Sequence, residues 1–161
     1  MIVVVIMGVV YSLSINSFAK LSDESSRVTL KTLKEYLSDL PRERGAKLLC
    51  LDDCSECGVY VDGEKTRALE DFLDDKVELY RYDFAYGFTK TEPNLYFNED
   101  DVEERVCFSY EVDKNGVGDQ VLARFKDKYY DFSSGLDEVA AYDSLSEANA
   151  AKRESQEMAS R

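Results

Sequence analysis

The first nineteen residues constrain what this chain can fold into more than any other feature, because they carry no charged side chain. The run reads MIVVVIMGVVYSLSINSFA, and the first charge of the chain is Lys20. About 20 apolar residues span the hydrocarbon core of a bilayer as a helix, whereas a buried strand takes about 4 to 8 residues. The run therefore predicts a transmembrane helix over residues 1–19.

A cleaved signal peptide is the alternative interpretation of the same run. Ser17, Phe18 and Ala19 form a small-x-Ala triplet directly before Lys20, which is typical of a cleavage site. No basic residue precedes the run in this sequence, although signal peptides normally begin with one. We therefore prefer a retained anchor, while a cleaved signal and a buried core segment stay open.

Charge and composition exclude several classes of function. The chain has 161 residues with 20 Lys and Arg against 33 Asp and Glu, which gives a formal net charge of −13. Nucleic-acid affinity comes largely from clustered basic side chains, so we expect no nucleic-acid partner. The absence of His removes His-based triads, general bases and metal ligands. We find no catalytic constellation and expect neither enzymatic activity nor a cofactor.

The four cysteines predict two structural disulfides. Cys50, Cys54 and Cys57 lie in the segment CLDDCSEC, and Cys107 stands alone in a predicted strand. An even number of cysteines is typical of a bridged, exported domain. Cys50 and Cys107 lie inside apolar runs while the other two flank a turn, so we prefer the pairing Cys50–Cys107 with Cys54–Cys57. A four-thiolate zinc site, a Cys54–Cys57 redox pair and a radical S-adenosylmethionine cluster motif are the weaker alternatives.

The remaining pattern predicts a helix followed by strands. Residues 20–45 are expected to form an amphipathic helix and linker, because apolar residues recur at three- and four-residue steps up to Pro41. A β-rich head is expected over 46–143, with a short helix at 66–73 among strands at 47–51, 58–61, 77–84, 105–112, 120–125 and 128–132. Ser144 and Glu147 form a capping box that opens a short C-terminal helix, with a polar tail, over 144–161.

One loop carries a weak signal for calcium. Asp113, Asn115 and Asp119 alternate as oxygen ligands in a Gly-rich turn, but Val117 and Arg124 break the register of an EF-hand. An ordinary hairpin turn is the alternative, and no other metal ligand set is predicted.

The apolar run MIVVVIMGVVYSLSI resembles the interior of the N-terminal helix of type IV pilins and type II secretion pseudopilins. In that family a basic leader and a Phe-Thr-Leu-Ile-Glu start precede the run, and both are absent from this sequence. The resemblance implies a filament-core helix in which Gly8 permits close approach of neighbouring helices. The core positions would be Ile2, Val5, Ile6, Gly8 and Val9.

The resemblance implies an α+β fold in which a hydrophobic helix continues into an amphipathic helix packed on a small antiparallel sheet. It implies a non-catalytic subunit of a type IV pilus or type II secretion machinery, partnered by other pilin-like subunits through this helix. The subunit would dwell in the inner membrane as a single-pass protein, with its globular domain in the periplasm or outside the cell. The alternative function is a secreted or periplasmic binding module whose N-terminal signal is cleaved.

Overall fold

The computed structural model describes residues 28–92, 94–97, 102–133 and 138–159. These residues form two helices and ten strands. In chain order they are α1 (Leu33–Asp39), β1 (Gly45–Leu51), β2 (Glu56–Val61), β3 (Glu64–Glu70), β4 (Glu78–Asp83), β5 (Gly87–Lys90), β6 (Asn94–Phe97), β7 (Glu103–Asp113), β8 (Leu122–Phe125), β9 (Lys128–Asp131), β10 (Ala140–Tyr142) and α2 (Leu145–Ala159).

The strands form two antiparallel five-stranded sheets. Sheet A has the order β3-β2-β1-β7-β6, and sheet B has the order β10-β9-β8-β4-β5. The chain passes between the sheets three times, from β3 to β4, from β5 to β6 and from β7 through a turn to β8. An isolated bridge between Val112 and Gly118 extends the pairing of β7 into that turn.

The main core lies between α1 and residues of both sheets. On β7, Phe108 and Tyr110 are completely buried, and both rings contact Phe132 at the end of β9. Side chains of a strand point alternately to its two faces, which explains why every second residue of β7 enters this core. Leu33 and Leu37, one turn apart on α1, are also completely buried in the same cluster.

A second, smaller core lies between sheet B and α2. Tyr80, Phe88 and Leu122 form it together with Ala148 of the helix. The side-chain oxygen of Asn149 accepts a hydrogen bond from the backbone N–H of Phe88 at 2.8 Å. The β4–β5 hairpin is therefore fastened directly to α2.

The predicted pilin-like α+β fold is wrong. The described residues form mostly antiparallel β-structure, and the helix before the sheets has seven residues. Thr29 and Thr32 explain its late start, because the Thr29 N–H donates to Thr32 Oγ1 at 3.0 Å and the Thr32 N–H donates to the Thr29 carbonyl at 3.1 Å. Such local bonds compete with helix formation. Pro41 then holds Leu40 in an extended conformation that ends the helix.

The predicted single-pass inner-membrane location is contradicted. Within the described ranges, no helix is both long and apolar enough to cross a membrane. The run at 1–19, on which that prediction rested, lies outside the described residues. The same holds for the predicted filament-core positions Ile2, Val5, Ile6, Gly8 and Val9.

Two local predictions also need correction. The segment 66–73 was expected to be helical, but most of it belongs to β3. Asp62 and Gly63 both have positive φ, at 55° and 96°, and make the two-residue turn that returns the chain alongside β2. The C-terminal helix begins at its capping residue as predicted, since Ser144 Oγ accepts the Glu147 N–H at 3.2 Å. It continues to Ala159, through the stretch expected to be a polar tail.

Candidate functional site

A cleft of about 850 Å³ opens between the two sheets beside the β8–β9 turn. Its charge is unlike that of the chain as a whole, which carries 20 basic and 33 acidic side chains. Four acidic residues line the cleft, namely Asp74, Asp75, Glu78 and Asp127. Five basic residues line it, namely Lys76, Lys90, Arg105, Arg124 and Lys126. We call this site the basic cleft.

Glu78 organises one wall of the basic cleft. It lies directly opposite Arg124 in the β4–β8 ladder, and Arg124 Nη1 is 3.0 Å from Glu78 Oε2. Lys90, from β5 on the other side of β4, places its Nζ 2.6 Å from Glu78 Oε1. Hydrogen bonds, first from Lys90 and then from Arg124, lower the pKa of Glu78 to about 2. The carboxylate therefore stays ionised at neutral pH and fixes the two cations on the wall.

Tyr80 also binds the Glu78 carboxylate. Its hydroxyl donates to Glu78 Oε2 at 3.0 Å. Burial, followed by this hydrogen bond, raises the pKa of Tyr80 to about 12, so the phenol remains protonated and continues to donate. The guanidinium of Arg124 also lies 5.8 Å from the ring centroid of Tyr129, which restricts its orientation.

Two lysines at the mouth of the cleft are available to a ligand. None of the four ion pairs among the described residues involves Lys76 or Lys126, and both side chains are exposed. Lys126 occupies the β8–β9 turn with Asp127, at φ values of 49° and 61°. Its ammonium lies 4.9 Å from the ring centroid of Phe125. A left-handed turn without glycine thus holds one cation at the rim of the cleft.

The disulfide prediction is confirmed, but the preferred pairing is wrong. Cys50 bonds to Cys57, and Cys54 bonds to Cys107, which lines the basic cleft. The register explains this result, because Cys50 lies directly opposite Cys57 on β2 and opposite Phe108, not Cys107, on β7. All four cysteines are therefore in bridges, which leaves no thiolate for the zinc or redox alternatives.

The calcium candidates lie at the β7–β8 turn, away from the basic cleft. Asp113 Oδ1 accepts the backbone N–H groups of Asn115 and Val117, both at 2.8 Å, and these bonds, that of Val117 first, lower the pKa of Asp113. Asp119 Oδ2 accepts the N–H of Glu111 at 3.1 Å. In the described part of the chain no group of three or more Asp, Glu, His or Cys side chains could hold a metal ion.

Sequence reasoning missed the basic cleft because its five cations are scattered from residue 76 to residue 126 and share no spacing. One signal was present. Glu78 and Tyr80 are two residues apart in the predicted strand 77–84 and therefore share one face of it, and a carboxylate on the same face as a buried aromatic ring requires cationic or hydrogen-bonding partners. That requirement points to Lys or Arg on the neighbouring strands, where the structure has Lys90 and Arg124.

The ion pairs of Glu78 make a prediction for the pH dependence of stability. A lowered carboxyl pKa contributes stability that is complete above about pH 4.5 and is lost as the pH falls towards 2. The full shift corresponds to about 3 kcal/mol. Because the Glu78 side chain is 26% exposed, solvent screening reduces the expected contribution to about 1–2 kcal/mol.

We therefore expect Glu78→Gln to lower the free energy of unfolding by about 1–2 kcal/mol at pH 7, with the difference from wild type vanishing near pH 2. Urea unfolding at pH 7, 4 and 2 measures this difference. Glu64→Gln, at an exposed carboxylate outside the four ion pairs, is the matched control. A difference for Glu78→Gln that is the same at every pH would contradict the assignment.

Comparison with known proteins finds no matching family model, no matching curated protein and no matching solved structure. Nothing in these comparisons identifies a pilin or a pseudopilin. The role as a pilin-like subunit, with other such subunits as partners, therefore stays a prediction from the N-terminal run alone.

Proposed function

We propose that this chain is a secreted or periplasmic binding module that holds an anionic ligand in the basic cleft. The observation that carries the proposal is a cleft lined by five basic and four acidic side chains, a formal charge of +1, in a chain of net charge −13. The acidic remainder of the chain repels a ligand that carries carboxylate or similar groups, whereas the cleft offers such a ligand positive charges.

The disulfides support an oxidising compartment. Disulfides form and persist in secreted and periplasmic proteins and are rare in the cytosol. Both bridges lie in the main core, where all four half-cystines are less than a tenth exposed. Burial of this kind is typical of structural bridges rather than of exposed redox-active ones.

The chemistry of the cleft suits binding better than proton transfer. Glu78 stays ionised far below neutral pH, and Tyr80 stays protonated far above it. A general acid or base needs a pKa near the working pH. The pair therefore acts as a fixed support that orients Lys90 and Arg124 towards a ligand.

The size of the cleft sets the class of ligand. At about 850 Å³ it lies within the range of about 300–1,000 Å³ that is usual for small-molecule sites. The lining includes Val77, Leu79 and Phe125 between the charged groups. We therefore expect a ligand of several carboxylates on a partly apolar frame, such as a short acidic peptide.

Titration with penta-L-glutamate tests the proposal, with binding followed by amide chemical shifts and by calorimetry. We expect shifts at β4, β8 and the β8–β9 turn. The double variant Lys76→Ala/Lys126→Ala should bind at least about tenfold more weakly, since a hydrogen bond to a charged group is worth about 1.5–3 kcal/mol.

Lys31→Ala is the control, because Lys31 is also exposed but lies outside the cleft. Penta-L-lysine provides the ligand control. Equal affinity of wild type and the double variant for penta-L-glutamate would contradict the proposal, as would shifts confined to residues outside the cleft.

A further inference from the structure

We infer that a crevice between the β4–β5 turn and α2 binds a neutral sugar ring. Its volume is about 410 Å³, and it is lined by two aromatic residues, Tyr82 and Phe84, and by three polar residues of α2, namely Arg153, Gln156 and Glu157. We call this site the aromatic crevice. None of these five residues lines the basic cleft, so either proposal can fail without the other.

Phe84 offers the stacking surface of the aromatic crevice. Its side chain is 89% exposed, and its ring meets that of Tyr82 edge to face, with the centroids 5.8 Å apart and an angle of 84° between the planes. Tyr82 is half-buried, because its ring also packs against Phe88 at 5.2 Å and lies 5.9 Å from the ammonium of Lys152. The open ring available to a ligand is therefore that of Phe84.

The turn that carries Phe84 is fixed by hydrogen bonds. Asp83 Oδ1 accepts the backbone N–H groups of Ala85 and Tyr86, at 2.8 and 3.0 Å. The strand after the turn, β5, is fastened to α2 by the side chain of Asn149. The turn and the helix therefore keep a fixed relative position, and a preorganised site loses less conformational entropy when a ligand binds.

The α2 side of the crevice is a row of planar polar side chains. Arg153, Gln156 and Glu157 are three and four positions apart, so they share one face of the helix. The Tyr82 hydroxyl donates to Gln156 Oε1 at 3.2 Å, which orients the amide and leaves its NH2 group as a donor. Arg153 is exposed and belongs to none of the four ion pairs among the described residues. This side therefore offers donors next to the carboxylate of Glu157, which is an acceptor.

This lining selects a ligand that is neutral and rich in hydroxyl groups. Among the described residues that line the crevice none is aliphatic, and one cation and one anion give a formal charge of zero. An oligoanion therefore gains no net attraction there, and a purely apolar ligand would cover polar groups without pairing them. Lys152 does not line the crevice, and its ammonium donates to Ser133 Oγ at 2.8 Å.

A pyranose ring has the matching chemistry. The C–H groups on one face of the sugar pack on the negative face of an aromatic ring, here that of Phe84. The sugar hydroxyls both donate and accept, so they can pair with the guanidinium, the amide and the carboxylate on α2. The volume of about 410 Å³ lies in the lower part of the range of about 300–1,000 Å³ for small-molecule sites, which suits one or two sugar rings.

Saturation-transfer difference NMR on the complete, oxidised chain tests the inference. The probes are the methyl β-glycosides of glucose, galactose, mannose and N-acetylglucosamine, each at millimolar concentration. We expect at least one of them to receive saturation from the aromatic protons of the protein, mostly at the C–H protons of one face of the sugar. The same sugar should shift the backbone amides of residues 82–86 and 153–157.

Three variants sharpen the test. Phe84→Ala removes the stacking ring and should weaken sugar binding at least about tenfold, whereas Phe84→Tyr keeps the ring and should bind as wild type does. Tyr86→Ala is the matched control, because Tyr86 is 80% exposed in the same turn but does not line the crevice. All three replace exposed side chains, so circular dichroism should stay unchanged.

The absence of saturation transfer to all four sugars would overturn the inference, as would equal sugar binding by wild type and Phe84→Ala. A concentration-dependent dimer that Phe84→Ala abolishes would also overturn it, since a second copy would then cover the crevice. Weaker sugar binding by Lys76→Ala/Lys126→Ala would place the sugar in the basic cleft instead. Phe84→Ala should bind penta-L-glutamate as wild type does, which separates this result from the fate of the basic cleft.

Discussion

Replacing both members of the Cys54–Cys107 bridge with alanine is expected to lower the free energy of unfolding by about 4 kcal/mol. The bridge spans 53 positions of sequence, and closing a loop of that length removes much conformational entropy from the unfolded chain. It also holds the turn after β1, where Cys54 has a φ of 65°, against β7. Urea unfolding followed by far-ultraviolet circular dichroism measures the loss.

The other bridge provides the matched control. Cys50 and Cys57 are seven positions apart and already face each other across the β1–β2 ladder. The same entropy argument gives about 2 kcal/mol for their replacement by alanine. The two double variants should therefore differ by roughly a factor of two. A larger loss from the short bridge would contradict the assigned pairing.

Gly118→Ala is expected to destabilise the protein by about 3 kcal/mol, the upper end of the usual cost of overpacking. A Cβ at this position would meet the hydroxyl of Tyr110 and would lie 2.7 Å from its Cζ. The Tyr110 ring is completely buried, and its centroid lies 4.6 Å from that of Phe132, so it has little room to move. Thermal unfolding monitored by circular dichroism measures the effect.

Tyr110→Phe tests the origin of that cost. The Tyr110 hydroxyl is buried and has no hydrogen-bond partner among the described residues. Removing an unsatisfied polar group costs nothing and can stabilise a protein by about 1 kcal/mol. We therefore expect Tyr110→Phe alone to be neutral or stabilising, and to recover part of the loss when combined with Gly118→Ala. Additive effects of the two substitutions would show that the contact is not the cause.

The strands that could be predicted from the sequence are those marked by a pattern of apolar residues within the strand itself. The β1–β2 hairpin, β7 and β9 were recognisable because alternating apolar residues are bounded by turn residues. β5, β6 and β10, which have four, four and three residues, were missed. Phe84 was expected to end the strand 77–84, but it lies in the turn after β4 and is 89% exposed.

The failure of the fold class has a different origin. The N-terminal run dominated the prediction, and a helix was extended from it through Thr29 and Thr32, whose side chains form a turn instead. Short-range hydrogen bonds of the two threonines therefore determine where α1 begins. The spacing of apolar residues carries no information about such bonds.

The disulfide pairing and the ion pairs of Glu78 could not be predicted from the sequence, because both depend on how distant strands are aligned. The disulfide prediction identified the four cysteines and an oxidising environment, but the pairing depends on which residue of β7 faces Cys50. The unbroken register from Gly45 opposite Asp113 places Phe108 opposite Cys50, and the bulge between Cys50 and Leu51 then pairs Leu51 with Val106, so Cys107 faces neither residue. The basic cleft was hidden for the same reason, since Lys90 and Arg124 meet Glu78 only through the strand order of sheet B.

The Cys54–Cys107 bridge lies at the basic cleft, and the proposed oxidising compartment is inferred from both bridges. Disulfide mapping of the natively expressed protein is therefore the most direct test of the proposed binding module. The segment between Cys50 and Cys57 allows each cysteine to be isolated, because cleavage before Asp52 or Asp53 and after Glu56 separates all three. Mass spectrometry of the non-reduced digest should then find Cys50 joined to Cys57 and Cys54 joined to Cys107. Free thiols, or a Cys50–Cys107 peptide, would contradict this framework and the location proposed from it.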